Sequence, residues 1–160
     1  MKKILVLSDS HGNVNNMVLA VRSASPDLII HLGDCWSDAQ KLRLKFPGIP
    51  MEQVPGNCDC NQEFQERELL IEGKRILICH GHTFNVKAGY LNLEYAAEER
   101  KVDAALFGHT HRVFYDVHNR ITYLNPGSIG SPAFEVPPSY GILEVDSFTG
   151  RITEDVFYLE

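Results

Sequence analysis

Five short segments of this chain carry side chains that bind metal ions or move protons. They are Asp9-Ser10-His11, Gly33-Asp34, Gly56-Asn57-Cys58-Asp59, His80-Gly81-His82 and Gly108-His109-Thr110-His111. Oxygen and imidazole donors in this mixture suit a divalent transition ion, and the carboxylates shift the preference toward a hard ion such as manganese. Asp9, His11, Asp34, Asn57, His80, His109 and His111 are too many ligands for one ion with an open position. They suffice for two ions that share a carboxylate. Two such ions, about 3.5–4 Å apart, clamp a phosphate ester and activate a bridging water for in-line attack. Taken singly, each segment is weak evidence. An Asp-x-His is more often a turn or a solvated loop, and Asn57 alone reads as a left-handed turn residue. The weight lies in their order and in the setting they share.

That setting is the end of a strand. Residues 3–7, 27–32, 49–54, 76–79 and 104–107 are short apolar runs of strand length, and each leads into one of the five polar segments. In open α/β sheets ligands bind at the carboxyl ends of the strands, so groups a hundred residues apart in sequence converge. Glycine beside the polar residues allows tight turns and close backbone approach. Between the runs, residues 13–24 place Val14, Met17, Val18, Val21 and Ala24 on one helical face. A weaker helical pattern over 36–46 stops at Pro47-Gly48, and a third covers 90–101. Residues 64–71 and 75–79 flank Glu72-Gly73-Lys74 as a hairpin. After residue 107 the helices cease. Runs at 113–118, 121–124, 140–146 and 151–158 alternate with turn signals. Strand–helix–strand crossovers imply parallel pairing, and the terminal strands imply antiparallel additions. The expected fold is a layered α/β one, with two packed sheets and helices outside.

The bulk composition bounds the function. The chain has 160 residues, with 15 Lys+Arg against 21 Asp+Glu and a formal net charge of −6. The length fits a single domain over residues 1–160, and a chain this size needs no disulfide or structural metal to fold. The apolar run after Met1-Lys2-Lys3 ends at Ser8-Asp9, too short for a signal peptide or a membrane span. Cys35, Cys58, Cys79 and Cys60 do not form a zinc-site or disulfide spacing. These points predict a cytoplasmic protein with reduced thiols. The acidic balance argues against a general nucleic-acid or membrane-surface binder.

In these motifs the sequence resembles the calcineurin-like metallophosphoesterase superfamily, and within it the YfcE-type small phosphodiesterases. The pattern D-x-H…G-D…G-N-x-[DE]…H-G…G-H-x-H is matched over residues 9–111, and Asn125-Pro126-Gly127-Ser128 resembles a further family segment. The resemblance implies a four-layer α-β-β-α sandwich of two mixed sheets flanked by helices. It implies that Asp9, His11 and His111 hold one metal, that Asn57, His80 and His109 hold a second, and that Asp34 bridges both. Manganese is the expected metal, with iron, zinc or nickel as alternatives. The implied reaction is hydrolysis of small phosphodiesters by attack of a metal-bridging hydroxide. Asp34 and Asn57 therefore count as catalytic candidates, and a homodimer is what the resemblance suggests for assembly.

One departure stands out. Many superfamily members place His after Gly-Asn as the proton donor to the leaving group, and here Cys58 stands there. A thiol with an ordinary pKa of about 8.5 is a poor general acid near neutrality. Such a site favours good leaving groups or takes its proton elsewhere, and His82 is the candidate substitute. Asp59 is a candidate for orienting the ligands, Arg112 for contacting substrate phosphate, and His31 reads as a core histidine. Ser10 lacks the Gly-x-Ser-x-Gly elbow of a hydrolase nucleophile. Two competing functions deserve statement: a non-catalytic, Vps29-like partner-binding scaffold, and a nuclease. The filled ligand set weighs against the first. The net charge of −6 and the lack of a basic extension weigh against the second, since polynucleotides need a phosphate-tracking surface.

Overall fold

A computed structural model describes residues 1–59, 65–130, 132 and 135–159. Cys60 and Phe64, used above in the cysteine spacing and the strand at 64–71, lie outside the described residues. The chain forms β1 (Lys2–Leu7), α1 (Val14–Ala24), β2 (Leu28–His31), α2 (Trp36–Lys45), β3 (Met51–Gln53), β4 (Glu66–Ile71) and β5 (Lys74–Cys79). A 3₁₀ turn (His82–Phe84) follows, then α3 (Leu91–Glu99), β6 (Ala104–Leu106), β7 (Val113–His118), β8 (Ile121–Pro126), β9 (Ser139–Val145) and β10 (Ile152–Tyr158).

The strands make two five-stranded mixed sheets, ordered β10-β9-β1-β2-β3 and β4-β5-β6-β8-β7. Each has a parallel centre. β1 pairs with β2 and β2 with β3; β5 pairs with β6 and β6 with β8. Antiparallel strands fill the flanks, with β9 and β10 on one side of the first sheet and β4 and β7 at the two edges of the second.

Burial follows the pleat. Alternate residues of a strand point to opposite faces, so a strand covered on both faces must be apolar throughout. Ile4 and Val6 of β1, together with Ile30 of β2 and Leu143 of β9, face the second sheet, where they pack with Ile76, Ile78, Leu106 and Leu124. Leu5 and Leu7 face the other way, against Met17, Ala20 and Val21 of α1 and Leu42 of α2. On the far side, Leu93 and Ala97 of α3 cover Leu77, Ala105 and Tyr123 of the second sheet. The order of layers is therefore helices, sheet, sheet, helix.

Local signals set the boundaries. The Asn13 side chain accepts from the Asn16 N–H and caps α1, as short polar residues do at helix starts. Glu72 and Gly73 both take positive φ, 50° and 80°, the conformation a tight hairpin turn needs. The strand expected at 49–54 is only Met51–Gln53, whereas β8 runs past the expected 124 to include Asn125 and Pro126. Among the described residues no helix is long and apolar enough to cross a membrane.

Candidate functional site

The carboxyl ends of β1, β2, β3, β5 and β6 open on one edge of the sandwich, where the two sheets meet. Asp9 and His11 follow β1, Asp34 follows β2, Asn57 follows β3, His80 follows β5, and His109 and His111 follow β6. Ligating atoms of Asp9, His11, Asp34 and His111 all lie within 4.8 Å of one another. His80 borders this group, with Nε2 3.4 Å from Asp34 Oδ2 and 3.7 Å from Asp9 Oδ1. His109 Nδ1 lies 3.2 Å from that same Nε2. Asn57 is exposed on a loop whose next residue, Cys58, donates its backbone N–H to Asp34 Oδ1 at 3.0 Å.

The two carboxylates divide their oxygens in the same way. Asp9 Oδ2 accepts from the Ser8 hydroxyl at 2.6 Å and from the His109 N–H at 3.1 Å. Asp9 Oδ1 is buried and accepts no hydrogen bond among the described residues. It faces three imidazole nitrogens, those of His111 at 3.2 Å, His80 at 3.7 Å and His11 at 3.9 Å. In Asp34 one oxygen is tied to Cys58, and Oδ2 faces His80 and His11, the latter at 3.7 Å. A buried carboxylate oxygen without a donor costs free energy unless a cation meets it. The donor set of carboxylate oxygen and imidazole nitrogen fits divalent transition ions.

His80 is oriented for ligation. Its Nδ1 lies 2.8 Å from the Leu32 carbonyl, which can only accept. Nδ1 therefore carries a proton, which leaves Nε2, directed at the carboxylates, as the nitrogen that would meet a cation, the usual arrangement of a metal-binding histidine.

Charge and burial act in opposition here. Burial favours the neutral acid of Asp34, but the hydrogen bond and charge of His80, with the Cys58 N–H, outweigh it and hold the carboxyl far below the usual range. Burial likewise works against the Asp9 charge, while His111, His80 and Ser8 bring its pKa down. For His80 burial opposes the imidazolium, and the Asp34 and Asp9 carboxylates raise the pKa above its ordinary value. His109 moves the other way, down to about 4, through burial and the neighbouring charges of His80 and Lys87. Burial and the Asp34 carboxylate push the Cys58 thiol up.

Close backbone approach explains the glycines. A Cβ at Gly33 would come within 2.6 Å of the Gly56 nitrogen and 2.9 Å of His80 Nδ1, and one at Gly56 would collide with Asp34 Oδ1. The loops are also conformationally costly. Asp9, His11, Asp34, His109 and His111 take φ of 55°, 43°, 58°, 72° and 60°, in the left-handed region that L side chains rarely adopt.

The remaining candidates separate clearly. His82 has its ring centroid 5.5 Å from that of His80 and 6.1 Å from that of His109, with Nδ1 buried and unpartnered among the described residues. Burial and His80 lower its pKa. Asp59 ties the loop after β2 to the loop after β3. Its Oδ1 accepts from the N–H groups of Cys35 and Trp36 at 3.0 and 2.8 Å, and its Oδ2 from Gly56 at 2.8 Å. His31 is buried as expected, and burial brings its pKa down to about 4. Ser10 is fully buried and hydrogen-bonded, out of reach of any substrate. Arg112 is exposed.

Two residues of the Asn125-Pro126-Gly127-Ser128 segment, to which the sequence alone assigned no role, support the site. Asn125 Nδ2 donates to the Gly108 carbonyl and to Thr110 Oγ1, both at 3.0 Å, which fixes the His109–His111 loop. The Ser128 hydroxyl donates to the Asp9 carbonyl at 2.8 Å. Their signal was the polar turn at the end of a buried strand, the same signal that marked the ligands. Asp38, in the first turn of α2, gave no comparable sign.

Comparison with known proteins agrees with this geometry. A family model described as "Calcineurin-like phosphoesterase superfamily domain" matches residues 1–147. The chain is 38% identical over 148 residues to the probable metallophosphoesterase YsnB of Bacillus subtilis, covering 90% of this chain and 85% of that protein. It is 31% identical over 136 residues to the phosphodiesterase YfcE of Escherichia coli, covering 84% of this chain and 56% of that protein. Its fold matches the wild-type Vps29 of Entamoeba histolytica complexed with zinc at a TM-score of 0.76 and 18% identity, over 98% of both chains. The chain belongs to the calcineurin-like phosphoesterase superfamily.

Proposed function

We propose that this chain hydrolyses small phosphodiesters with two divalent metal ions. Asp9, His11 and His111 would hold one ion, Asn57, His80 and His109 the other, and Asp34 would lie between them. The observation that carries this reading is the buried Asp9 Oδ1, which has no donor among the described residues and faces three imidazoles. Without a cation beside it that oxygen would stay unsatisfied at a cost of about 1–3 kcal/mol. Bound ions supply Lewis-acid polarisation of the phosphate and a nucleophile at neutral pH.

The chain's own residues supply orientation and exclusion. The Asp9 and Asp34 carboxylates form the floor, with side chains 0% and 4% exposed, while His11 and His111, 32% and 29% exposed, form the open side. Substrate enters past those two rings. Asn57 stands on the rim and is placed to touch the phosphate. His82 stands beside His80 and is the candidate proton donor to the leaving alkoxide. Cys58 stays a neutral thiol at pH 7 and donates weakly, so diesters with good leaving groups are turned over fastest. YfcE, named a phosphodiesterase, supports diester over monoester.

The net charge of −6 makes a polynucleotide a poor substrate, since such binding rests on neutralising phosphates. The decisive experiment pairs elemental analysis of the purified protein with a panel of mono- and diesters assayed with added Mn²⁺. Two ions per chain and preferential diester turnover are expected. No turnover with any metal, or a monoester preference, overturns the proposal. An unchanged kcat for poor leaving groups in His82→Ala overturns the donor role.

A further inference from the structure

Beneath the ligand loops, on the side covered by α2, lies a second polar group with no access to solvent. Ser10, His31 and Asp38 are 0%, 1% and 1% exposed. Asp38 Oδ2 accepts from the Ser10 hydroxyl at 2.8 Å and from the Gly12 N–H at 2.6 Å. Ser10 Oγ lies 3.1 Å from His31 Nε2 and 3.4 Å from the Asp34 carbonyl oxygen. His31 Nδ1 accepts from the Gly33 N–H at 3.2 Å.

The protons along this chain have one consistent arrangement. A backbone N–H can only donate, so His31 Nδ1 is the acceptor, and a neutral ring then carries its proton on Nε2. Nε2–H donates to Ser10 Oγ, whose single proton goes to Asp38, where the carboxylate oxygen accepts. Every bond runs the same way: Gly33 to His31, His31 to Ser10, Ser10 to Asp38. A second donor, Gly12, closes on the same oxygen.

The endpoints matter more than the chain itself. Ser10 lies between Asp9 and His11, and Gly12 follows His11. Gly33 precedes Asp34. The network thus pins the loop after β1 to the loop after β2 through a side chain of α2. Both loops hold left-handed residues, Asp9, His11 and Asp34, whose conformation persists only where surrounding contacts over-determine it.

We propose that Asp38 is a positioning residue for the metal centre: through Ser10 and the Gly12 N–H it fixes His11 against Asp34, and with it the ion held by Asp9, His11 and His111. This rests on the two-ion reading above. Among the described residues no hydrogen bond joins this network to Asn57, His80 or His109, the other ion's ligands, so the effect is one-sided.

The test is a Mn²⁺ titration of the full chain, stripped of metal, followed by electron paramagnetic resonance. Wild type binds two ions. Asp38→Leu removes the acceptor, and weakens one class of site about 10- to 100-fold, the range for lost support of a ligand, while the other class is unchanged. Asp38→Asn keeps an oxygen that accepts from both donors and restores binding to within about 3-fold. Ser10→Ala, a milder change that keeps the protein folded if Asp38→Leu does not, weakens the same class about 3- to 10-fold, the worth of one hydrogen bond. Equal weakening of both classes, unaltered binding with only a lower melting temperature, or no rescue by Asn overturns the positioning role. A wild type that retains no Mn²⁺ instead overturns the metal-centre reading, and this inference falls with it.

Discussion

The two sheets contribute unlike chemistry to the site. The sheet built on β1, β2 and β3 brings both carboxylates, Asp9 and Asp34, with Asn57 and one imidazole, His11. The sheet built on β5, β6 and β8 brings imidazoles only: His80, His82, His109 and His111. Each set is unstable alone. Two buried carboxylates close together repel one another and resist ionisation; crowded, partly buried imidazoles resist protonation, in keeping with the lowered pKa values of His109 and His82. Across the seam each offsets the other, and His80 is the hinge of that exchange. The lesson is that the centre belongs to neither half. Its donors, its charge balance and its access to solvent all depend on how the two sheets are held together.

That division can be attacked most directly at Asp34, which, like Asp9, faces imidazoles from both sheets and is the proposed bridge between the ions. Asp34→Asn is expected to lower turnover by at least about 10³-fold, several kcal/mol of charge stabilisation, and to release metal in the same preparation. Retention of both ions with full activity would place the bridging role elsewhere. Stripping metal with a chelator comes next. Because ligands on both sheets would grip the ions, removal should lower stability by about 2.7 kcal/mol for each ion when free metal stood at 100 times its Kd. Calorimetry with and without chelator reads this as a drop in melting temperature that scales with the logarithm of metal concentration. A concentration-independent melting temperature contradicts it.

A smaller effect is expected from giving the first sheet a second imidazole. Cys58→His should raise kcat for diesters with poor leaving groups about tenfold or more, within the usual worth of a general acid, and leave good leaving groups almost unchanged. A uniform change across leaving groups argues that position 58 acts on binding instead. The smallest effect lies far from the centre, where β10 of the first sheet faces β7 of the second. Glu154 is held there with its pKa pushed up to about 7 by burial and by Asp116. Its unfolded value is near 4.5, so the folded state binds more protons between these limits. Stability therefore falls as pH rises from about 4.5 to about 7 and is level above. Glu154→Gln removes that loss and should gain about 1–2 kcal/mol at pH 8 but nothing at pH 4, discounted for the solvent that reaches a half-buried group. Denaturant melts at the two pH values decide it.

Much of this was legible in the order of residues because parallel α/β sheets gather strand ends. A buried run such as Ile4-Leu5-Val6-Leu7 that stops at Asp9 announces both a strand and its functional end. His31 was readable as a core residue because it sits inside such a run. Asp38 was not readable, because an acidic residue in the first turn of a helix has an ordinary explanation in the helix dipole, and only the packing of α2 against the Ser10 loop shows its second use. Asp59 fell between these cases. Its proximity to Asn57 was plain, but its grip on Cys35 and Trp36 depends on two loops meeting from different strands. Boundaries drifted where turn chemistry was mild, as at β3, and where a strand ran on into a polar turn, as at Asn125 and Pro126.

The left-handed backbone at Asp9, His11, Asp34, His109 and His111 has an evolutionary consequence. Each of these positions is cheaper for glycine or asparagine than for the residue that occupies it. A descendant that gave up the chemistry could therefore replace them one by one and become more stable at each step, with the sandwich intact. Retaining all five means holding the loops uphill, so the drift from a working centre toward a silent, sturdier fold is the easy direction, and the reverse path has to be climbed.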